Sequence, residues 1–344
     1  MKGKQFMRRK RSERNKTSKK VKNISINFLL LILANLIIGC TFSIPMVYYG
    51  PFKNTKEYVV TTAMTTLSHQ YLATWFLSDK EIAEIMDKNK IVNDTNSEVE
   101  DIKVEPVAET IEKVKTPEEL VKFTDISNDK FKGYMLTITD GKRVKVSVSD
   151  KIGSSGTKLA DMIKQEEAIA GINAGGFKDE GGHGSGGTPL GLIIHDGKVV
   201  FGNEKVEHSV IGFNKEGVLV LGKYTLSQIR EKNITEAVSF EPFLIVNGEP
   251  MIKSGNGGWG IAPRTIIGQK KNGDVVFLAI DGRQISSKGA TLKEVQDLLL
   301  EYDVYNAANL DGGASTTMYY KDKIVNKPCS SGGPRPLPTA FIVK

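Results

Sequence analysis

The chain has 344 residues, enough for one large domain with extensions or for two domains. Its net charge of +7 sits at one end: residues 1–22 carry eleven Lys and Arg against Glu13, leaving 36 basic and 39 acidic residues beyond them. That distribution argues against nucleic-acid binding, in which basicity marks the folded domain, and the two cysteines, Cys40 and Cys329, supply neither a disulfide framework nor a cysteine-based metal site.

Residues 1–22 read as a cytoplasmic basic segment. No charged residue occurs from Asn23 to Phe52, and residues 24–49 are mostly apolar; roughly 20 such residues cross a bilayer as a helix. Lysines and arginines on the N-terminal side predict a cytoplasmic N-terminus and an extracellular remainder. Residues 23–49 are therefore expected to be a single-pass signal anchor in the cell membrane, with Tyr48 and Tyr49 at the outer interface. The run is longer than a signal-peptide core and lacks Ala-x-Ala cleavage chemistry. A lipoprotein box at Ile37-Ile38-Gly39-Cys40 is the lesser alternative, because the apolar run continues past Cys40.

Residues 54–90 read as a helical juxtamembrane segment. Apolar positions at helical spacing predict one helix over 54–77, and Ser78 to Glu81 forms a capping box opening a second, from Ile82 to about Lys88. The pair suits a stalk or an oligomer contact, or packs back onto the main domain. Residues 91–122 turn polar and aperiodic and read as a linker, with a short helix at 117–122 capped by Thr116.

Residues 123–344 read as one glycine-rich domain. Hairpins are expected for 134–139 with 143–149, 189–194 with 198–201, 209–213 with 218–221, and 264–270 with 274–280. Helices are expected at 157–167, 226–232 and 292–302, the last opened by a Thr291–Glu294 capping box. Further strands are expected at 168–172, 237–246, 307–310 and 316–320. The pattern predicts an α+β fold with mixed, largely antiparallel sheets and a few helices.

Within this domain six stretches are unusual for plain scaffold. Gly171-Ile-Asn173-Ala-Gly175-Gly176-Phe177 runs a strand into paired glycines, and 181–188 is a glycine loop holding His183 without Walker spacing. Phe240-Glu241-Pro242 places an acid in an apolar strand, where burial would raise its pKa and suit it to proton donation; an edge carboxylate in water is the equal alternative. Asn256-Gly-Gly-Trp259-Gly-Ile-Ala-Pro-Arg264 joins a sugar-stacking aromatic to a guanidinium fork. Ile280-Asp281-Gly-Arg283 and Asn309-Leu-Asp311-Gly312-Gly313-Ala-Ser315-Thr316 each end an apolar strand in an acid among small residues. Paired carboxylates are what glycoside cleavage requires, and arginines beside them suit an anionic leaving group. Oxygens of Asp281, Asp311 and Asn309 could instead hold a divalent cation; no cofactor is otherwise implied.

In order, Gly-Ile-Asn-Ala-Gly-Gly-Phe, Gly-Gly-Thr-Pro-Leu-Gly, Pro-Arg-Thr, Ile-Asp-Gly-Arg and Asn-Leu-Asp-Gly-Gly-Ala-Ser, over about 168–344, resemble the phosphodiester glycosidase family. Its animal members remove N-acetylglucosamine from phosphate to uncover mannose 6-phosphate, and bacterial members are often labelled exopolysaccharide proteins. The resemblance implies cleavage of a sugar-1-phosphate diester, freeing a sugar and leaving a phosphomonoester; with the expected anchor, the substrate is a cell-surface glycan or glycopolymer. Its motifs fall on Asn173, Gly175, Gly176, Arg264, Asp281, Asp311, Gly312 and Ser315. It departs at Glu241, where a glycine is common before the proline, and at Gly333-Pro-Arg-Pro336, where Gly-Glu-Arg-Pro is frequent.

The expectation is a membrane-anchored hydrolase. Asp281, Asp311 and Glu241 supply the acid and base, Arg264 and Arg283 hold phosphate, and Asn173, Asn309, the glycines, Ser315, Thr316 and Trp259 shape the sugar site. The alternative is a non-catalytic polysaccharide-binding or assembly protein. The sequence leaves the oligomeric state open.

Overall fold

A computed structural model describes residues 2–66, 69–91, 95–104, 116–179 and 184–344. The remainder of the linker, and the part of the glycine loop that holds His183, lie outside the described residues. The chain divides into two units, Met1–Glu57 and Tyr58–Lys344.

In the first unit, the helix Lys2–Tyr49 contains the apolar stretch Ile26–Tyr49, 24 residues with mean hydropathy 2.2. At 1.5 Å per residue that stretch is about 36 Å long, enough to cross a bilayer core.

The single helix expected over 54–77 is two, Lys53–Met64 and Tyr71–Thr74. Threonines explain the break. Thr65 Oγ1 donates to the Thr61 carbonyl at 2.8 Å and Thr66 Oγ1 to the Ala63 carbonyl at 2.8 Å, competing with the helical ladder. The second helix, Asp79–Lys88, begins at the expected Ser78–Glu81 capping box.

The second unit holds the sheets, and every strand pairing among the described residues is antiparallel. The largest has seven strands, in the order 121–125, 133–138, 275–280, 264–270, 304–309, 243–246 and 249–250. Its alternation builds two layers. Val275, Phe277 and Ala279 enter the core shared with the two five-stranded sheets, while Val276, Leu278 and Ile280 meet Leu292, Val295 and Leu299 of the helix Leu292–Glu301. A strand buried on both faces reads as a continuous apolar run, as this one does.

Two expected strand arrangements differ. Strands 133–138 and 144–148 form no hairpin: the first pairs with 121–125 and 275–280, the second with 339–343 in another sheet. The Gly141 backbone lies too close to the Gly217 carbonyl to carry a side chain, so the turn packs against another sheet. The strand expected over 237–246 is also two, Ile234–Ser239 and Phe243–Val246, in different sheets. Pro242 between them has no N–H for a ladder.

Polar residues of the expected linker are hydrogen-bonded onto the sheets. Ser97 N donates to the Leu221 carbonyl and Leu221 N to Ser97 Oγ, both at 2.8 Å. The Tyr305 hydroxyl donates to Asp101 Oδ2 at 2.6 Å. Antiparallel pairing brings strand ends and strand starts to one edge. There the loops after Asn173 and Asn309 meet the loop before Arg264: Asp311 N donates to the Ala174 carbonyl, and Gly313 N to the Pro263 carbonyl, each at 3.0 Å.

Candidate active site

The loops at this edge surround a cavity of about 730 Å³, all of whose lining residues belong to the second unit. It is lined by Asp311, Gly312, Gly313 and Ser315, by Trp259, Arg264, Arg283 and Asn309, and by residues of the helical segment between Tyr58 and Leu72. The helical segment thus packs back on the domain, where Asn256 Nδ2 donates to Thr61 Oγ1 at 2.9 Å and Ile261 N to Thr62 Oγ1 at 3.1 Å.

Asp311 is held through its backbone. Asn173, fully buried, donates from Nδ2 to the Asp311 carbonyl at 2.5 Å, and its Oδ1 accepts from Thr265 Oγ1 at 2.9 Å and Thr317 N at 3.0 Å. Desolvation pushes the Asp311 carboxyl up to about 7, against the opposing pull of a hydrogen bond with Ser315 and the charge of Arg335; Asp179 adds to the rise. A carboxyl with that value is protonated for much of its time near neutrality and suits general acid work.

Arg264 is 2% exposed, and three of its donor contacts go to backbone carbonyls. Nε reaches Ala290 at 3.0 Å, while Nη2 reaches Trp259 at 2.9 Å and Gly260 at 2.5 Å. Burial, with the nearby charge of Arg283, lowers its pKa to about 9. Arg283 is exposed, takes positive φ (57°), and lays its guanidinium against Gly313. No described residue accepts a hydrogen bond from that guanidinium; the Arg283 backbone N–H donates to the Lys288 carbonyl at 3.1 Å. Two cations facing one cavity favour an anionic ligand.

Other expected site residues fall elsewhere. Asp281, 3% exposed, does not line the cavity. Its carboxylate accepts from Asn326 Nδ2 at 3.0 Å and from Lys327 N at 2.9 and 3.0 Å. Burial raises its pKa while these hydrogen bonds oppose the rise. Glu241 is exposed between two strands, where it accepts a hydrogen bond from Ser209 Oγ, and does not line the cavity. Gly175 and Gly176 are buried and do not line the cavity, Gly176 lying against the Phe240 ring. Thr316 Oγ1 and Asn309 Oδ1 are buried without a partner among the described residues, and Asn309 lines the cavity.

Sequence reasoning missed Asp179 and Arg335. Both line the cavity and are joined by a fork, Nη1 to Oδ2 and Nη2 to Oδ1, each at 2.7 Å. The Arg335 guanidinium also lies 4.9 Å from the Phe177 ring centroid. The available signal was position: Asp179 follows Gly-Gly-Phe177 by two residues, and Arg335 sits in the divergent Gly333-Pro-Arg-Pro336 stretch.

For the alternative of a cation held by Asp281, Asp311 and Asn309, the Asp281 carboxylate is turned away, to Asn326 and Lys327, and does not line the cavity with the other two. His195, Asp196 and Glu236 do group closely enough to hold a metal ion. Glu236 is satisfied without one: Val146 N at 2.9 Å and Asp196 N at 3.2 Å donate to it, and Lys145 Nζ lies at 3.4 Å.

A phosphodiester glycosidase family model matches residues 166–344. Bovine N-acetylglucosamine-1-phosphodiester alpha-N-acetylglucosaminidase is 28% identical over 159 residues, covering 41% of this chain and 30% of that protein. The SPbeta prophage-derived uncharacterized protein YomE of Bacillus subtilis (strain 168) is 25% identical over 178 residues, covering 49% of this chain and 27% of that protein. The chain thus aligns with less than a third of the length of these curated relatives. The catalytic domain of the zebrafish N-acetylglucosamine-1-phosphodiester alpha-N-acetylglucosaminidase, auto-inhibited by its pro-peptide, superposes with a TM-score of 0.56 at 23% identity. The match covers 73% of this chain and 88% of that one, a likeness of fold.

Proposed function

Because the chain belongs to the phosphodiester glycosidase family, we propose that it is a membrane-anchored hydrolase that cleaves the glycosidic bond of a sugar-1-phosphate diester in a cell-surface glycan. The observation that carries this reading is a desolvated Asp311, with its pKa near 7, in one cavity with Arg264, Arg283 and Arg335.

Breaking the sugar C1–O bond turns a singly charged phosphodiester into a phosphomonoester, whose second proton has a pKa of about 6. Asp311 is matched to that oxygen as proton donor. Arg283, whose fork has no acceptor among the described residues, takes the phosphate. Arg264 adds its buried charge to the field, and Trp259 stacks on the sugar. Asn309 Oδ1 accepts from a sugar hydroxyl or amide, since its Nδ2 already donates to the Glu241 carbonyl at 3.2 Å. Asp179 becomes the second carboxylate and activates water, its orientation fixed by Arg335. Asp281 and Asn173 are positioning residues.

The apolar helix supports a single-pass anchor, and the basic block before it supports a cytoplasmic N-terminus with the cavity outside. The experiment is to incubate the full chain in detergent with an N-acetylglucosamine-1-phosphodiester and measure free sugar. Release that vanishes in Asp311→Asn is expected. Binding without release by the intact chain would favour the non-catalytic polysaccharide-binding reading, to which Pro334, in place of the frequent glutamate, lends support.

A further inference from the structure

The wall of the cavity formed by residues 58–72 belongs to a segment with an unusual composition. From Tyr58 to Ser78 there is no Asp, Glu, Lys or Arg in 21 residues, in a chain that is 25% charged. The segment nevertheless exposes large side chains. Trp75 is 74% exposed, and its ring lies 5.0 Å from that of Tyr71, itself exposed. Leu72, one residue on from Tyr71, is exposed and lines the cavity.

An exposed aromatic pair with no nearby charge on its own segment is costly in water and suited to a surface that is apolar below and wet above. Tryptophan and tyrosine concentrate at such membrane interfaces because each joins an apolar ring to a polar handle. The absence of charged side chains means that no ion loses its hydration when the segment settles among lipid head groups.

Covalent connection selects the occupant. Tyr49 ends the apolar span, and nine residues later Tyr58 is the first to line the cavity. Six of those nine residues belong to the helix Lys53–Met64, which rises about 1.5 Å per residue, so the connection is short and a lipid surface lies close to this segment in every copy of the chain.

We propose that Tyr71, Leu72 and Trp75 rest on the outer surface of the bilayer and hold the cavity mouth against it, so that the enzyme draws its substrate from the membrane surface. The inference rests on the reading of residues 26–49 as a membrane anchor. It also deepens the proposed activity by selecting phosphodiesters displayed on lipid-anchored glycans over free ones.

The test reconstitutes the full chain in phosphatidylcholine–phosphatidylglycerol vesicles. Flotation and resistance to carbonate extraction establish the anchor first, so that its failure is seen separately. Trp259→Phe then leaves Trp75 as the single tryptophan, a fluorescence reporter that needs no activity. Quenching by lipids brominated high on the acyl chain, with protection from aqueous acrylamide, is the expected result. Quenching by acrylamide but not by brominated lipid overturns the proposal. Protection from both, with a larger particle in detergent, also overturns it, because the face is then covered by a second copy. In the chain with Trp259 restored, Trp75→Ser should slow hydrolysis of a vesicle-embedded phosphodiester about tenfold and leave a small soluble one unchanged. Equal effects on both substrates would also sink it, whereas no hydrolysis of either by the unaltered chain sinks the activity reading and leaves the quenching result to decide.

Discussion

Asn173 Nδ2 donates to the carbonyl of Asp311 at 2.5 Å, across 138 residues of sequence, while its Oδ1 accepts from Thr265 and Thr317. One buried amide therefore joins three of the loops around the proposed acid. Each loop depends on the other two through a side chain that does not line the cavity.

Asn173→Ala should therefore act on stability and activity together. It orphans the Thr317 N–H and the Asp311 carbonyl in a buried place, at a cost of about 2–3 kcal/mol. A lowered Tm with activity reduced at every substrate concentration is expected from thermal unfolding and steady-state kinetics. An unchanged Tm with only KM raised would make Asn173 a substrate contact instead.

The two arginines should separate. Arg264→Ala removes three donor contacts, leaves the Gly260 carbonyl with no donor among the described residues and empties a buried site, so a loss of about 3 kcal/mol is expected. Arg264→Lys should not rescue it, because one ammonium lacks the planar fork. Arg283→Ala should change stability by less than about 0.5 kcal/mol. Its KM for a phosphodiester should rise roughly tenfold or more, with a smaller effect on a neutral aryl glycoside. Equal losses on the two substrates would show that Arg283 does not hold phosphate.

The sequence made the layered architecture legible wherever spacing speaks locally. The capping boxes at Ser78 and Thr291, the cap at Thr116 and the hairpin 264–280 are as expected. What stayed hidden depends on non-local contacts. Asp140-Gly141 looks like a hairpin turn, and only the Gly217 carbonyl shows why the chain crosses to another sheet instead. Asp281 and Asp311 each end an apolar run before glycine, so spacing gives them the same rank. Their environments differ because Lys327 N and Asn326, more than forty residues away, meet one and not the other. Asp179 carried only its position two residues after Gly-Gly-Phe177, since its partner Arg335 is 156 residues distant.

Asp281→Asn should behave as a positioning variant. The carboxylate gathers Asn326 and the Lys327 N–H, and the amide can keep only part of that set, so a loss of about 1–3 kcal/mol is expected. Activity should fall less than in Asp311→Asn, and the pH profile of the residual activity should keep its shape. A profile in which one limb disappears would restore Asp281 to the chemistry.

Asp311 gives a prediction whose sign is fixed by its pKa. The unfolded chain releases this proton near the ordinary carboxyl value of 3.8, whereas the folded chain holds it to about 7. Between those values the folded state binds more protons than the unfolded one, so this group makes stability fall as pH rises from about 4 to about 7. Asp311→Asn cannot ionise, and its stability should lack that component, leaving it more favourable relative to the parent at pH 8 than at pH 4. For catalysis the protonated form is the donor. The kcat/KM of the parent should hold below neutrality and drop about tenfold per pH unit above 7. Thermal unfolding and initial rates at matched ionic strength, from pH 4 to 9, measure both. A parent whose rate rises through pH 7 would assign Asp311 as base, and a stability difference from Asp311→Asn that ignores pH would remove the buried proton altogether.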